Sequence, residues 1–184
     1  LMKNIKTDFG AKGDGVTDDT KAFKDCLAGG NRCIYIPAGT YLIKDQVRLT
    51  DGMKRTLLIG QSRTKSILKL ADASPGFSDV SAPKAFVHTR APNQQGEQNM
   101  HMFVYHLTIE IGKGNPGAIG LNFHTSNSGA VRDVSIRASD PVNSRPLRGL
   151  AFDDYWFGPG SARYIEIDGF RTGIYIGSAQ NHTT

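Results

Sequence analysis

Leu107-Thr108-Ile109, Val134-Ser135-Ile136 and Ile165-Glu166-Ile167 carry one short pattern, an aliphatic residue on each side of a polar one. The copies stand 27 residues apart (107 to 134) and then 31 (134 to 165). A second series interleaves with the first: Gly120-Leu121-Asn122-Phe123, Gly149-Leu150-Ala151-Phe152 and Gly173-Ile174-Tyr175-Ile176, at 29 and 24 residues. Two strand series that alternate along the chain with one shared period describe a coil that returns to the same place each turn. That is the pattern of a parallel β-solenoid. Leucine-rich repeats would show an L-x-x-L-x-L framework, and propeller blades a period nearer roughly 40–50 residues. An immunoglobulin-like sandwich gives no reason for a fixed long register.

Toward the N-terminus the same reading gives short strands at Cys33 to Ile36, Thr40 to Ile43, Val47 to Leu49, Leu57 to Ile59 and Ile67 to Leu70, each bounded by turn residues. Before them, Ala22, Phe23, Cys26 and Leu27 repeat at helical spacing and end at Gly29-Gly30, a short amphipathic helix that covers a core. Thr17 is expected to cap it, with Asp18 and Asp19 in the positive field of its first turn. Asp72 to Asn99 carries three prolines and little periodicity; it is expected as an insertion or loop between coils, with one strand at Ala85 to His88. Residues 1–184 thus form a single all-β domain, a parallel β-helix with a short N-terminal capping α-helix.

Composition agrees. The 184 residues include 21 Gly and 8 Pro without a Gly-X-Y period, which excludes collagen and low complexity and leaves a turn-rich fold. No apolar run approaches the roughly 20 residues of a membrane span, and these residues show no charged-then-apolar leader, so any export signal is expected to have been removed or not included. The net charge of +5 is spread along the chain without a Lys/Arg block, which argues against nucleic acid and is compatible with an acidic polysaccharide. Cys26 and Cys33 fit a bridge or a thiol pair equally well.

Thr7-Asp8-Phe9-Gly10-Ala11-Lys12-Gly13-Asp14-Gly15-Val16-Thr17-Asp18-Asp19-Thr20, followed by Ala22-Phe23, resembles the N-terminal signature of the pectate lyase superfamily. Ile34-Tyr35-Ile36-Pro37-Ala38-Gly39-Thr40-Tyr41-Leu42 resembles the next family segment, and Leu58-Ile59-Gly60-Gln61 with Ile67-Leu68-Lys69-Leu70 a third. The resemblance covers nearly the whole chain. It implies a right-handed parallel β-helix, a carbohydrate substrate and an extracellular, periplasmic or cell-surface setting. It does not choose among hydrolases, lyases, epimerases and phage tail-spike depolymerases, because fold is not function. A lyase of this kind would bring Ca2+ as cofactor; otherwise no cofactor is evident, and no metal site is read from the residues.

In each strand the Leu/Ile and Phe/Ile positions point inward and the residues between them outward. On one sheet the outward positions stack as Asn122, Ala151 and Tyr175 and, two residues along, as His124, Asp153 and Gly177. His124 and Asp153 are then expected as an acid/base pair beside Asn122 and the sugar-stacking rings of Tyr175 and Trp156. The ordinary structural reading is a solvated face with one incidental ion pair. Asp153-Asp154 resembles the paired aspartates of polygalacturonase-like enzymes, but that family's Asn-Thr-Asp, Gly-His-Gly and Arg-Ile-Lys motifs are missing. Adjacent strand residues also face opposite ways unless a bulge intervenes. On another sheet Glu110, Arg137 and Asp168 occupy equivalent positions and read as a structural charge ladder, with the guanidinium between two carboxylates.

Gly13-Asp14-Gly15 lacks the oxygen spacing of a calcium loop. Asn181-His182-Thr183 is a glycosylation sequon. Only the N-terminal helix reads as an end cap, and a solenoid needs one at each end. The expectation is therefore the N-terminal part of a longer β-helix protein, or an open end that pairs with another chain. Two functions follow from the resemblance: a glycosidase or lyase acting on a polysaccharide along the outer face, or a non-catalytic glycan-binding or tail-spike-like module.

Overall fold

A strand of four or five residues with one apolar side is not stable alone, so the short strands must pair and close around a shared interior. The computed structural model describes all residues except 51–53, 93–99, 154–156, 178–180 and 184. The chain winds through about six turns of a β-solenoid with three faces. The first face holds β1 (Lys3–Asn4), β3 (Cys33–Ile36) and β6 (Leu57–Gly60), and the second β2 (Asp14–Asp18), β4 (Gly39–Ile43) and β7 (Ser66–Leu70). Three long strands, β9 (Met100–Ile111), β11 (Ser126–Ala138) and β13 (Phe157–Asp168), run through both. The third face is a five-stranded sheet of β5 (Val47–Arg48), β8 (Lys84–His88), β10 (Ala118–Asn122), β12 (Arg148–Phe152) and β14 (Thr172–Ile176). β15 (Asn181–Thr183) pairs with β13, and the helix α1 (Thr20–Ala28) lies between β2 and β3. The pairings are parallel, and the crossovers between parallel strands give the right-handed coil.

The long strands turn a corner without leaving the ladder. β9 bends at His106, β11 at Asp133 and β13 at Tyr164, each with φ between 54° and 56°. At each of these corners a left-handed residue redirects the strand from the first face to the second, a conformation that costs a non-glycine residue roughly 1–2 kcal/mol. The stacked neighbours hold it in place.

Both repeat series stand in the register read from the sequence. Leu107 pairs with Val134 and Val134 with Ile165; Leu121 pairs with Leu150 and Leu150 with Ile174. Inside, Val47, Val87, Leu121 and Leu150 form one buried column, and Tyr41, Leu68, Ile109 and Ile136 another. Each such side chain contributes roughly 1.5–3 kcal/mol on burial. On the edge strand β14 the inward-type residues Ile174 and Ile176 are instead 55% and 52% exposed. The strand expected at 85–88 is β8, a rung of the third face between β5 and β10, so segment 72–99 carries part of the coil.

The N-terminal motif differs from its reading as a helix cap. Asp19 holds the N-cap position but makes no side-chain cap; it is buried and accepts the Lys12 and Gly13 backbone N–H groups at 2.7 and 2.9 Å. Thr17 does not cap either: its hydroxyl and N–H both donate to Asp14 at 2.7 Å. The aspartates tie the Gly-rich turns into a loop. The helix itself buries Ala22, Phe23, Cys26 and Leu27, with Phe23 edge-on to Tyr41 at 5.7 Å. Cys26 and Cys33 are free thiols, and burial pushes Cys26 up to about 11.

Candidate functional site

The third face carries one row of side chains straight across five rungs, Arg48, His88, Asn122, Ala151 and Tyr175, each the register partner of the next. Rungs lie about 4.8 Å apart, so the row presents a different group at each step along the axis. A cleft of about 370 Å³ opens over the first three members of the row, lined by Arg48, His88 and Asn122 together with Gln46, Lys84 and Asp153. Ala85 and Ile119 also line it, and with Ala151 and Tyr175 they make a small apolar cluster separate from the main core.

The cations are fixed in place. Arg48 donates through Nε to the Arg90 carbonyl at 2.8 Å, and Gln46 donates to the Ala85 carbonyl at 2.6 Å. Lys84 sits 4.7 Å from the Phe77 ring centroid and pairs with Asp45 at 2.8 Å. Burial alone would raise the Asp45 carboxyl, but the Lys24 and Lys84 ammonium groups outweigh it and hold it well below the usual carboxylate range. At the other end Arg148 pairs with Asp153, and its guanidinium lies over the Tyr175 ring at 3.5 Å.

These positions sort the expected site residues. Asn122 and Asp153 do come together, the Asp153 N–H approaching the Asn122 Oδ1 at 3.5 Å, and both line the cleft. Tyr175 stands in the predicted row, but Arg148 covers one ring face, so that face is not available for stacking on a sugar. His124 corrects the reading: it is 1% exposed and lies beyond the end of β10, where strand alternation no longer applies. Its N–H donates to the Thr89 hydroxyl at 2.7 Å, and that hydroxyl donates to the His124 carbonyl at 2.8 Å. It is therefore no surface partner of Asp153. Asp154 and Trp156 lie outside the described residues.

His88, Arg48, Lys84 and Arg148 were missed from sequence. The signal that finds His88 and Arg48 is the pair Val87-His88 beside Val47-Arg48 and Leu121-Asn122, an inward aliphatic followed by an outward polar residue. Among the described residues the cleft offers one carboxylate, Asp153, among cations, fewer oxygen ligands than a Ca2+ site takes. Among the described residues no group of three or more His, Cys, Asp or Glu comes together for a metal.

A second cleft of about 210 Å³ lies on the second face, lined by Arg63, Thr108, Ser135, Arg137, Glu166 and Asp168. The ladder there is arranged differently from its reading. Glu110 is the central group, between Lys69 at 3.0 Å and Arg137 at 2.7 Å. Arg137 is the register partner of Asp168, yet its ion pair is with Glu110. Burial would raise the Glu110 carboxyl, but hydrogen bonds from Lys69, Arg137 and Ser139 outweigh it and hold it below the usual range. Arg63 is likewise engaged, with Asp133 and Glu166. Both clefts hold paired charges, but only the third-face cleft adds an imidazole and a side-chain amide, His88 and Asn122, to its cations, and it is the candidate site.

A sequence model of the rhamnogalacturonase A/epimerase, pectate lyase-like family matches residues 2–183. The chain belongs to this family. A glucan 1,3-beta-glucosidase of Cochliobolus carbonum is 29% identical over 202 residues, which is 98% of this chain and 24% of that protein. A preneck appendage protein of Bacillus phage PZA is 37% identical over 147 residues, 80% of this chain and 15% of the phage protein. A mannuronan C5-epimerase of Azotobacter vinelandii is 28% identical over 164 residues, 83% of this chain and 15% of the epimerase. The chain thus spans a quarter or less of the length of these family relatives. Among solved structures, the pre-mature bacteriophage phi29 gene product 12 shares the fold with a TM-score of 0.59 at 21% identity, over 88% of this chain and 21% of that one. The A-module of an Azotobacter vinelandii mannuronan C-5 epimerase does so at 0.51 and 18% identity, over 95% and 58%.

Proposed function

We propose that this protein is a carbohydrate-active enzyme that acts on an anionic polysaccharide laid along the third face. The observation that carries the reading is the cleft in which Arg48 and Lys84 stand around His88 and Asn122. Guanidinium and ammonium groups match the carboxylate of a hexuronate. They also match the charge that develops when the proton on the carbon bearing that carboxylate is removed. In this proposal His88 takes the proton, and the electron pair passes into the carboxylate, where the cations stabilise the enolate. Expulsion of the neighbouring glycosidic oxygen, which leaves as an alcohol after gaining a proton, gives a lyase; return of a proton to the opposite face gives an epimerase. Hydrolysis would need a second carboxylate beside Asp153, the role the sequence reading gave to Asp154. An extracellular, periplasmic or cell-surface location follows from such a substrate.

A polysaccharide panel tests this. Incubation with mannuronan should give products with ultraviolet-absorbing unsaturated ends, or exchange of the carbon-bound proton with solvent. His88→Ala should lower turnover by roughly 10²–10⁴-fold, the range of a general base. Reducing ends without that absorbance would replace the reading with hydrolysis. The phage appendage relative favours a second reading, a non-catalytic glycan-binding module. Binding to the polymer without product from any substrate would establish it.

A further inference from the structure

The first face has an outer surface of its own, away from the cleft. Tyr35, Ile59, Tyr105, Arg132 and Arg163 are successive register partners on β3, β6, β9, β11 and β13, one per rung along the solenoid axis. The first three keep part of their surface in solvent, and Phe103 lies 5.7 Å from Tyr105 and widens the apolar half. Arg132 and Arg163 are exposed. The stripe is therefore aromatic and aliphatic for three rungs and cationic for two.

Two guanidinium groups directly opposite each other on neighbouring parallel strands repel. Arg132 has a ring contact with Tyr164 at 5.8 Å, but among the described residues no ion pair includes Arg132 or Arg163. An anion at this place removes the repulsion. The spacing also selects the shape of the ligand. Rungs about 4.8 Å apart place Tyr35 and Tyr105 about 10 Å apart, on the order of two sugar residues of an extended chain. The apolar C–H faces of hexopyranoses cover tyrosine rings, and carboxylates pair with arginine.

We infer that this stripe is a second glycan site that holds an acidic polysaccharide parallel to the solenoid axis, with sugar faces on Tyr35 and Tyr105 and carboxylates on Arg132 and Arg163. It rests on the reading that the protein meets a polysaccharide, but it does not require that the third face be catalytic. Single-stranded nucleic acid also pairs rings with cations. The dispersed charge and the polysaccharide-acting relatives favour the glycan.

The test is binding of the purified protein to mannuronan and to a soluble neutral 1,3-beta-glucan, by affinity electrophoresis. The double variant Arg132→Gln/Arg163→Gln should weaken mannuronan binding about tenfold and leave glucan binding unchanged, because only the charge contacts are lost. Tyr35→Leu, which keeps apolar bulk and removes the ring, should weaken both. Turnover of short oligosaccharides should be unchanged in all of these variants. A double variant that holds mannuronan as tightly as the parent overturns the inference, as does a parent that binds neither polymer or that prefers an oligodeoxynucleotide. A dimer in light scattering that Tyr35→Leu dissociates would assign the stripe to a second copy and overturn it as well. If mannuronan binding responds to the arginines while no substrate is turned over, the stripe stands and the enzymatic reading of the third face falls.

Discussion

Glu110 shows how one residue ties the second face together. Its side chain is 13% exposed and takes cations from the rung before and the rung after. Because its folded-state carboxyl lies below the ordinary 4.5, it stabilises the fold fully above that pH and loses the contribution as pH falls through the lower folded value. Glu110→Gln should cost roughly 1–3 kcal/mol at neutral pH, since Lys69 and Arg137 lose their counter-charge. It should also flatten the fall in stability as the pH drops below 4.5, measured by urea unfolding at each pH. Asp14 behaves in the same sense from an exposed position: Thr17 and Val16 hold it down to about 2, so its loop tightens again only as pH rises through that value. Asp19 is the buried counterpart. Asp19→Ala leaves the Lys12 and Gly13 N–H groups without their acceptor and should lower stability by roughly 2–4 kcal/mol in the same assay.

Among the elements, β10 and β12 show why glycine recurs in the repeat of the third face. A Cβ at Gly120 would meet the Ile136 side chain at 2.5 Å and the Gly149 carbonyl at 2.8 Å, because two faces converge there on the same interior. Gly120→Ala should therefore destabilise by roughly 1–3 kcal/mol, read as a lowered melting temperature. That glycine also explains what the sequence made legible. The repeat records interior packing, so the residues that pack against one another, Gly120 with Gly149 and Leu121 with Leu150, aligned from sequence alone. The outer face is not bound by the same rule. Ile119 and Asn122, three residues apart, both reach the cleft, so strict alternation fails within β10, and beyond its end His124 turns inward. β8 was harder still, because Ala85-Phe86-Val87-His88 lacks the glycine and the final aromatic or aliphatic residue of the series, which hid His88. Corner residues were invisible: His106, Asp133 and Tyr164 share a conformation but no chemistry.

At the scale of the whole molecule, a solenoid has no single centre, since each rung contacts only the rungs beside it. The cost of a substitution therefore depends on whether both neighbours are present. Ile109 is fully buried between Leu68 and Ile136, whereas Ile174, an inward-type residue on the edge strand β14, is paired with Leu150 on one side and is 55% exposed. Truncation of the first leaves a cavity with walls on both sides; truncation of the second removes contacts on one side only. In the 184-residue chain, Ile109→Ala should cost roughly 2–5 kcal/mol and Ile174→Ala less than about 1 kcal/mol, by urea unfolding. Amide exchange should follow the same gradient, slowest in β9 and β11 and faster in β14. Equal costs at the two positions would show that the outer rung is covered in solution by another chain. The gradient bears on the site, because its row runs from β5 to β14. His88 and Asn122 stand on rungs held from both sides, and Tyr175 stands on the edge, where the Arg148 contact must fix the ring that packing does not. Arg148→Ala should therefore broaden the Tyr175 ring signals in NMR spectra while leaving those of His88 unchanged, and unchanged Tyr175 signals would remove Arg148 from that role.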